Sequence, residues 1–264
     1  MYTNKHILKI SSPILLSLLA QNIIQVTDTA FLGRVGEVEL GASALAGIIY
    51  ISVITLAFGF SMGSQILIGR RNGEGKFNKI GEIVTQGIVF LLIPAVLLIP
   101  FMRYGSAHWL PAVFDSSYVA TAVSDYLEWR SFGLVFAFTN VMFHAFYIGT
   151  TRTKVLIYKS LIMASVNIVF NYALIFGNLG FPELGIKGAG IASVIAEFSA
   201  TLFLIIYTKK NVDLRKYGFT AFRFRWSVIK RILDISVFMM MQYFTSLITW
   251  AFFFFLIENY MYER

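Results

Sequence analysis

Apolar residues gather in seven long stretches, residues 10–33, 41–69, 83–102, 131–151, 160–182, 188–208 and 235–257, with polar and basic breaks between them. A helix crosses a hydrocarbon core of about 30 Å with about 20 apolar residues, so each stretch is long enough to span a bilayer. Five hold no Asp, Glu, Lys or Arg; the first holds Asp28 and the sixth Glu197. Shorter apolar runs would leave buried core helices as a rival, and seven of this length do not. The pattern predicts an all-α polytopic membrane protein, a six-helix lobe followed by one additional transmembrane helix.

The breaks orient the chain. With the N-terminus inside, seventeen Lys and Arg fall on cytoplasmic segments and five outside, Arg34, Arg103, Arg130, Lys187 and Arg264. Positive flanks are retained in the cytoplasm, which predicts a multi-pass protein of the plasma (inner) membrane with a cytoplasmic N-terminus. The first stretch is too long and too polar, with Gln21, Asn22, Gln25 and Asp28, to be a cleaved leader. Residues 103–130 read as an outer segment whose Trp109, Tyr118 and Trp129 anchor the interface.

Residues 209–231 form the longest basic segment and divide a lobe (1–208) from the first span of a second, incomplete lobe (232–264). Ile7-Leu-Lys-Ile-Ser11 is echoed by Ile232-Leu-Asp-Ile-Ser236, where a six-span repeat would restart. On that register Phe253 stands opposite Asp28. A seventh helix without partners points to truncation.

Composition agrees. The chain has 264 residues, 57% hydrophobic and 14% charged, where soluble domains carry about 25% charged residues. The net charge of +8 lies in short blocks between apolar runs and not along one face, which argues against a nucleic-acid partner. There is no cysteine, and three histidines, His6, His108 and His144, cannot assemble a zinc site at the usual spacings. No nucleophile–base pair, HExxH helix or acid cluster marks an enzyme, and no cofactor is called for.

Ionisable groups at bilayer depth are costly and are functional candidates by default. Asp28 lies six residues before Arg34, about 9 Å inside the outer boundary by helical rise. Gln21, Gln25 and Asp28 share one helical face, a polar stripe suited to a hydrated cavity or to hydrogen bonds with a neighbouring span. Asn167 and Asn171 share a face of the fifth span, and Ser193 lies at similar depth on the sixth. A carboxylate, amide oxygens and a hydroxyl suit a small cation such as Na⁺, held by Asp28, Asn167 and Asn171, and the protonated carboxyl suits H⁺ transport. Asparagine pairs serve equally as interhelical hydrogen bonds. Glu197, near mid-membrane, reads either as a second contact lining the cavity or as a paired carboxyl in the lobe interior. His144 reads as cavity-lining or as a hydrogen-bonded interior histidine. Pro13 removes a backbone hydrogen bond and allows the first span to bend.

Five motifs then point one way: Pro13-Ile-Leu-Leu, Asp28-Thr-Ala-Phe-Leu-Gly-Arg34, Gly63-Ser-Gln-Ile-Leu-Ile-Gly69, Asn167-Ile-Val-Phe-Asn171-Tyr-Ala-Leu-Ile-Phe-Gly177 and Leu184-Gly-Ile-Lys-Gly-Ala-Gly-Ile-Ala-Ser193. In this order they resemble the N-terminal lobe of multidrug and toxic compound extrusion (MATE) transporters, with an overall pattern similar to the bacterial DNA-damage-inducible-type branch. The resemblance implies a two-lobed, twelve-span antiporter that exports cationic or amphipathic molecules against Na⁺ or H⁺ by alternating access. It implies that Asp28 is the coupling acid, that Asn167, Asn171 and Ser193 complete the cation site, and that span 1 bends at Pro13. Asn171 stands where some members carry a second acid, which lowers the charge available for a metal ion. The missing C-terminal lobe becomes an expected partner, alongside membrane lipid. A lipid-linked oligosaccharide or lipid flippase of the same superfamily is the alternative, disfavoured because the seven cores hold no Arg or Lys; a non-transporting membrane fragment is another.

Overall fold

The computed structural model describes residues 4–112, 114, 116–219 and 224–262, with side chains described except at 5, 6, 107 and 250–262. The side chain of Phe253, set opposite Asp28 by the repeat register, lies outside the described residues, as do those of Lys5, Arg223 and Arg264.

Regular structure among the described residues is helical throughout. The order is α1 Asn4–Val35, α2 Glu37–Gly73, α3 Ile80–Pro100, α4 Ser106–Trp109, α5 Ser117–Arg130, α6 Gly133–Gly149, α7 Lys154–Phe176, α8 Gly185–Asn211, α9 Leu214–Tyr217 and α10 Trp226–Tyr262. Six helices among the described residues are long and apolar enough to cross a membrane. The fourth expected span behaves differently. Its helix, α6, has 17 residues and meets α5 at 57° across a break, so this crossing forms only if the bent pair counts as one span.

The outer segment is therefore corrected in part. Residues 117–130 are not a surface connection: they fold as α5, pack on α2 and α8, and bury Ala120, Val123, Leu127 and Arg130. Ser116 caps this helix, its hydroxyl accepting from the Val119 amide at 3.4 Å. The physical reason is periodicity: positions 120, 123, 127 and 130 recur every three to four residues, one face of a helix.

Small residues set how closely the spans approach. Ser17, Ala20 and Ile24 are buried along one stripe of α1, which packs on α7. The hydroxyl of Ser17 meets that of Ser160 at 3.0 Å. Between lipid-facing helices the gain comes from such close van der Waals contact and from hydrogen bonds across it, because lipid is as apolar as the side chains it replaces. At Gly188 of α8 a Cβ would stand 2.5 Å from the Leu174 carbonyl oxygen of α7, so only glycine permits this crossing. Gly177 ends α7 with φ 68°, a left-handed cap that costs glycine little.

The outward faces remain greasy. Leu97 is 68% exposed and Phe238 74%, with Leu15, Leu16, Leu19 and Met241 beside them in kind. Exposed apolar surface on this scale suits hydrocarbon and not water. At the basic end, residues 209–211 close α8 with their side chains exposed, and Val212 and Tyr217 are buried, the latter on α9 against the start of α3.

Candidate functional site

α1, α7 and α8 bring four of the predicted polar residues into one hydrogen-bonded chain. The Asn171 amide donates to the Asp28 carboxylate and, at 3.0 Å, to the Asn167 side-chain oxygen. The Asn167 amide then donates to the Ser193 hydroxyl at 3.4 Å. Both asparagines are fully buried and Ser193 nearly so, while Asp28 is half-buried at the cluster's open side. Positions 167 and 171 are one helical turn apart, which puts both amides on the face of α7 that meets α1 and α8.

The donor set fits a small monovalent cation. Asp28 contributes a carboxylate, and Asn167, Asn171 and Ser193 contribute neutral oxygens. The Asn171 side-chain oxygen is buried and has no hydrogen-bond partner among the described residues, an acceptor left for a cation or a proton donor. No cluster of three His, Asp or Glu side chains forms among the described residues, so the set carries a single negative charge of its own.

Glu197 requires a correction. It does not line an open cavity; it is 5% exposed and clamped by Arg130, whose guanidinium donates to both carboxylate oxygens at 2.9 and 2.6 Å. Tyr50 donates a third hydrogen bond at 3.2 Å, and the Arg130 guanidinium stacks 3.7 Å above the Tyr50 ring. Removing two charges from water is tolerable only when they face each other with their remaining sites satisfied, as here. Gly133 makes the room, since a Cβ there would meet Glu197 Oε2 at 2.5 Å and Tyr50 Oη at 2.9 Å.

Arg130, Tyr50 and Tyr126 were missed as functional candidates. The topology places Arg130 among the five outer Lys and Arg, and the signal that points to its pairing is Glu197 itself, a mid-membrane acid that demands a counter-charge. Arg130 also acts electrostatically on Asp28, and Tyr126 interacts with Arg130, Asp28 and Ser193, so the ion pair and the Asp28 hydrogen-bonded chain share one field.

The remaining candidates lie apart from the cluster. The Gln21 amide donates within its own helix to the Ser17 carbonyl at 3.3 Å and hydroxyl at 3.4 Å, and Gln25 is exposed. Neither is hydrogen-bonded to Asp28 among the described residues. His144 is half-buried on α6 with its ring 6.4 Å from that of Phe58. Asn140, one turn earlier, ties α6 to α8 through Thr201 at 3.0 Å. α1 runs unbroken through Pro13, and the Thr153 hydroxyl donates to the Ile10 carbonyl at 2.9 Å, tying the first turns of α1 to the residue before α7. A separate cleft of about 890 Å³, lined in part by Glu37, Glu39 and Asp125, contains none of the cluster residues.

The MatE family model matches residues 13–173. A probable multidrug resistance protein NorM from Neisseria meningitidis serogroup A is 28% identical over 251 residues, covering 94% of this chain and 54% of its own length. One of the same name from Mannheimia succiniciproducens is 31% identical over 214 residues, covering 80% and 45%. The chain spans about half the length of the curated relatives it matches. Among solved structures, the eukaryotic MATE transporter AtDTX14 superposes with a TM-score of 0.84 at 19% identity, over 93% of this chain and 54% of that one. An outward-facing multidrug resistance MATE family transporter gives 0.79 at 18% identity, over 90% and 52%. At such identities the structures establish the fold alone.

Proposed function

This chain belongs to the MatE family, and from that premise we propose that it forms one lobe of a multidrug exporter driven by Na⁺ or H⁺ at Asp28. The observation that carries this reading is the chain of side chains from Asp28 through Asn171 and Asn167 to Ser193. It ties three helices to one carboxylate in the lobe interior.

A cation entering from outside neutralises Asp28 and draws on the free Asn171 oxygen. H⁺ would turn one carboxylate oxygen into a donor and leave the other a weaker, neutral acceptor, and Na⁺ would be held by the oxygens of Asp28, Asn167 and Asn171. In either case the hydrogen bond from the Asn171 amide to Asp28 loses its charge assistance and weakens, which alters how α1 sits against α7. Pro13, with no N–H to donate, is where α1 yields most easily. A cation can drive release of a cationic or amphipathic substrate only through different affinities for the two arrangements, and that difference is the coupling free energy. Residues 1–208 supply one wall of the cavity; residues 209–231 lead to 232–264, which open a second lobe that supplies the other. The N-terminus lies in the cytoplasm of a plasma-membrane protein.

A flippase would present unpaired Arg or Lys to a substrate phosphate; Arg130 cannot serve in that way because Glu197 neutralises it, which leaves Lys159 of α7, half-buried and in no salt bridge among the described residues, as the cation such a reading would need. The test is cation-gradient-driven export of a fluorescent lipophilic cation from proteoliposomes, with this chain alone and with a C-terminal lobe supplied. Asp28→Asn keeps the shape and removes the charge; its gradient dependence should fall by about 5–150-fold, the range of a coupling of about 1–3 kcal/mol. Undiminished gradient-driven export by folded Asp28→Asn protein would overturn the proposal, and absence of export with and without the second lobe would favour a non-transporting membrane protein.

A further inference from the structure

Where α2 ends and α3 and α10 begin, a cleft of about 420 Å³ opens at the basic end of the bundle. Arg71, Lys76, Lys79, Arg225 and Arg231 line it, with Glu82 as the lining carboxylate. Internal pairing consumes part of this charge. Glu74 holds Arg71 at 2.6 Å and Lys76 at 3.2 Å, and Glu82 holds Arg225 at 2.9 Å. Among the described residues no salt bridge includes Lys79 or Arg231, and both are exposed. Two cations thus face a shared cleft without an internal counter-charge, and their mutual repulsion is relieved by an anion between them.

The surroundings specify the kind of anion. Buried Leu67 and Ile83 form an apolar floor to the same cleft. Phe224 and Trp226, flanking Arg225, are 48% and 57% exposed. Aromatic side chains at the point where a helix enters the membrane prefer the headgroup level. A free inorganic anion would gain from the cations and nothing from the floor or the rings; a lipid gains from all three. We propose that this cleft is a binding site for an anionic phospholipid, with Lys79 and Arg231 taking the phosphate and Leu67 and Ile83 meeting the start of the acyl chains. Basic pockets between helix ends on the cytoplasmic side are suited to such headgroups.

The test uses the full chain in neutral detergent, with phosphatidylglycerol, phosphatidylcholine and inorganic phosphate as probes and retained lipid read by native mass spectrometry. Phosphatidylglycerol should bind about tenfold or more tightly than phosphatidylcholine, the order expected of two cations at a membrane surface, and the preference should shrink with salt. The pair Lys79→Gln, Arg231→Gln should abolish most of it, and the charge-preserving pair Lys79→Arg, Arg231→Lys should retain it. Lys209→Gln with Lys210→Gln, at the end of α8 and outside the cleft, should leave it unchanged. Equal binding of the two lipids, equal losses from both Gln pairs, or displacement of the lipid by an equal concentration of inorganic phosphate would each overturn the site.

Discussion

The side-chain amide of Asn171 donates to the carboxylate of Asp28 across 143 residues of sequence. This contact joins the half-buried acid of α1 to the buried amides of α7, and it makes Asn171 the partner through which a change at Asp28 is felt by the rest of the lobe.

Asn171→Leu removes both the donor to Asp28 and the free side-chain oxygen. Hydrogen bonds to charged groups contribute about 1.5–3 kcal/mol, so a stability loss of that order is expected in thermal unfolding. Gradient-driven export should weaken together with it. Serine at 171, which restores a small donor, should recover stability more than export, because its shorter side chain does not replace the amide oxygen.

Arg130 and Glu197 should behave as a coupled pair. Arg130→Met or Glu197→Leu alone leaves an uncompensated buried charge, expected to cost about 3–5 kcal/mol, whereas the two substitutions together should cost much less than the sum of the single changes. Denaturant unfolding of all four proteins in detergent measures the difference. Additive losses would show that the two side chains do not stabilise each other.

Glycine positions separate by what surrounds them. Gly188→Ala drives a methyl into the Leu174 carbonyl and should destabilise by about 1–3 kcal/mol through forced separation of α7 and α8. Gly47→Ala, in α2 with nothing within 4 Å of the added carbon, should be neutral or stabilising by about 0.4–1 kcal/mol. Thermal shifts of opposite direction are the expected readout.

At the end of α2, Glu74 faces Arg70, Arg71 and Lys76, and their hydrogen bonds lower its carboxyl from 4.5 to about 2. Because the folded-state value lies below the unfolded one, these contacts contribute fully above pH 4.5 and are lost as pH falls through about 2. Protection factors for amide exchange in residues 70–76 should therefore drop across that window. Glu74→Gln should show reduced protection already at neutral pH and little further change on acidification.

Much of this protein was legible in its order of residues. Long apolar runs must become helices in lipid, because no water is there to take unsatisfied backbone groups. Hence six of the seven expected spans appear as long helices, including α1 with its polar stripe. The spacing of Asn167 and Asn171 placed both on one helical face, and Asp28 and Ser193 stood at compatible depths. The bent α5–α6 pair was not legible, since Gly133 at the break is no stronger a signal than the glycines inside unbroken α2, and the change of direction answers packing against α2 and α8.

Sequence alone determined what was local: which segments enter the membrane, which polar residues travel with them, and how deep along a helix each one sits. Helical rise and the cost of unpaired backbone in hydrocarbon are enough for that. Only the tertiary structure decided partners. It turned Glu197 toward Arg130, set Asn171 against Asp28, and left Gln25 exposed without a bond to either. Pairing depends on how helices distant in sequence rotate about their axes and how closely glycines such as Gly133 and Gly188 let them approach, and neither quantity is written in the period of any one helix.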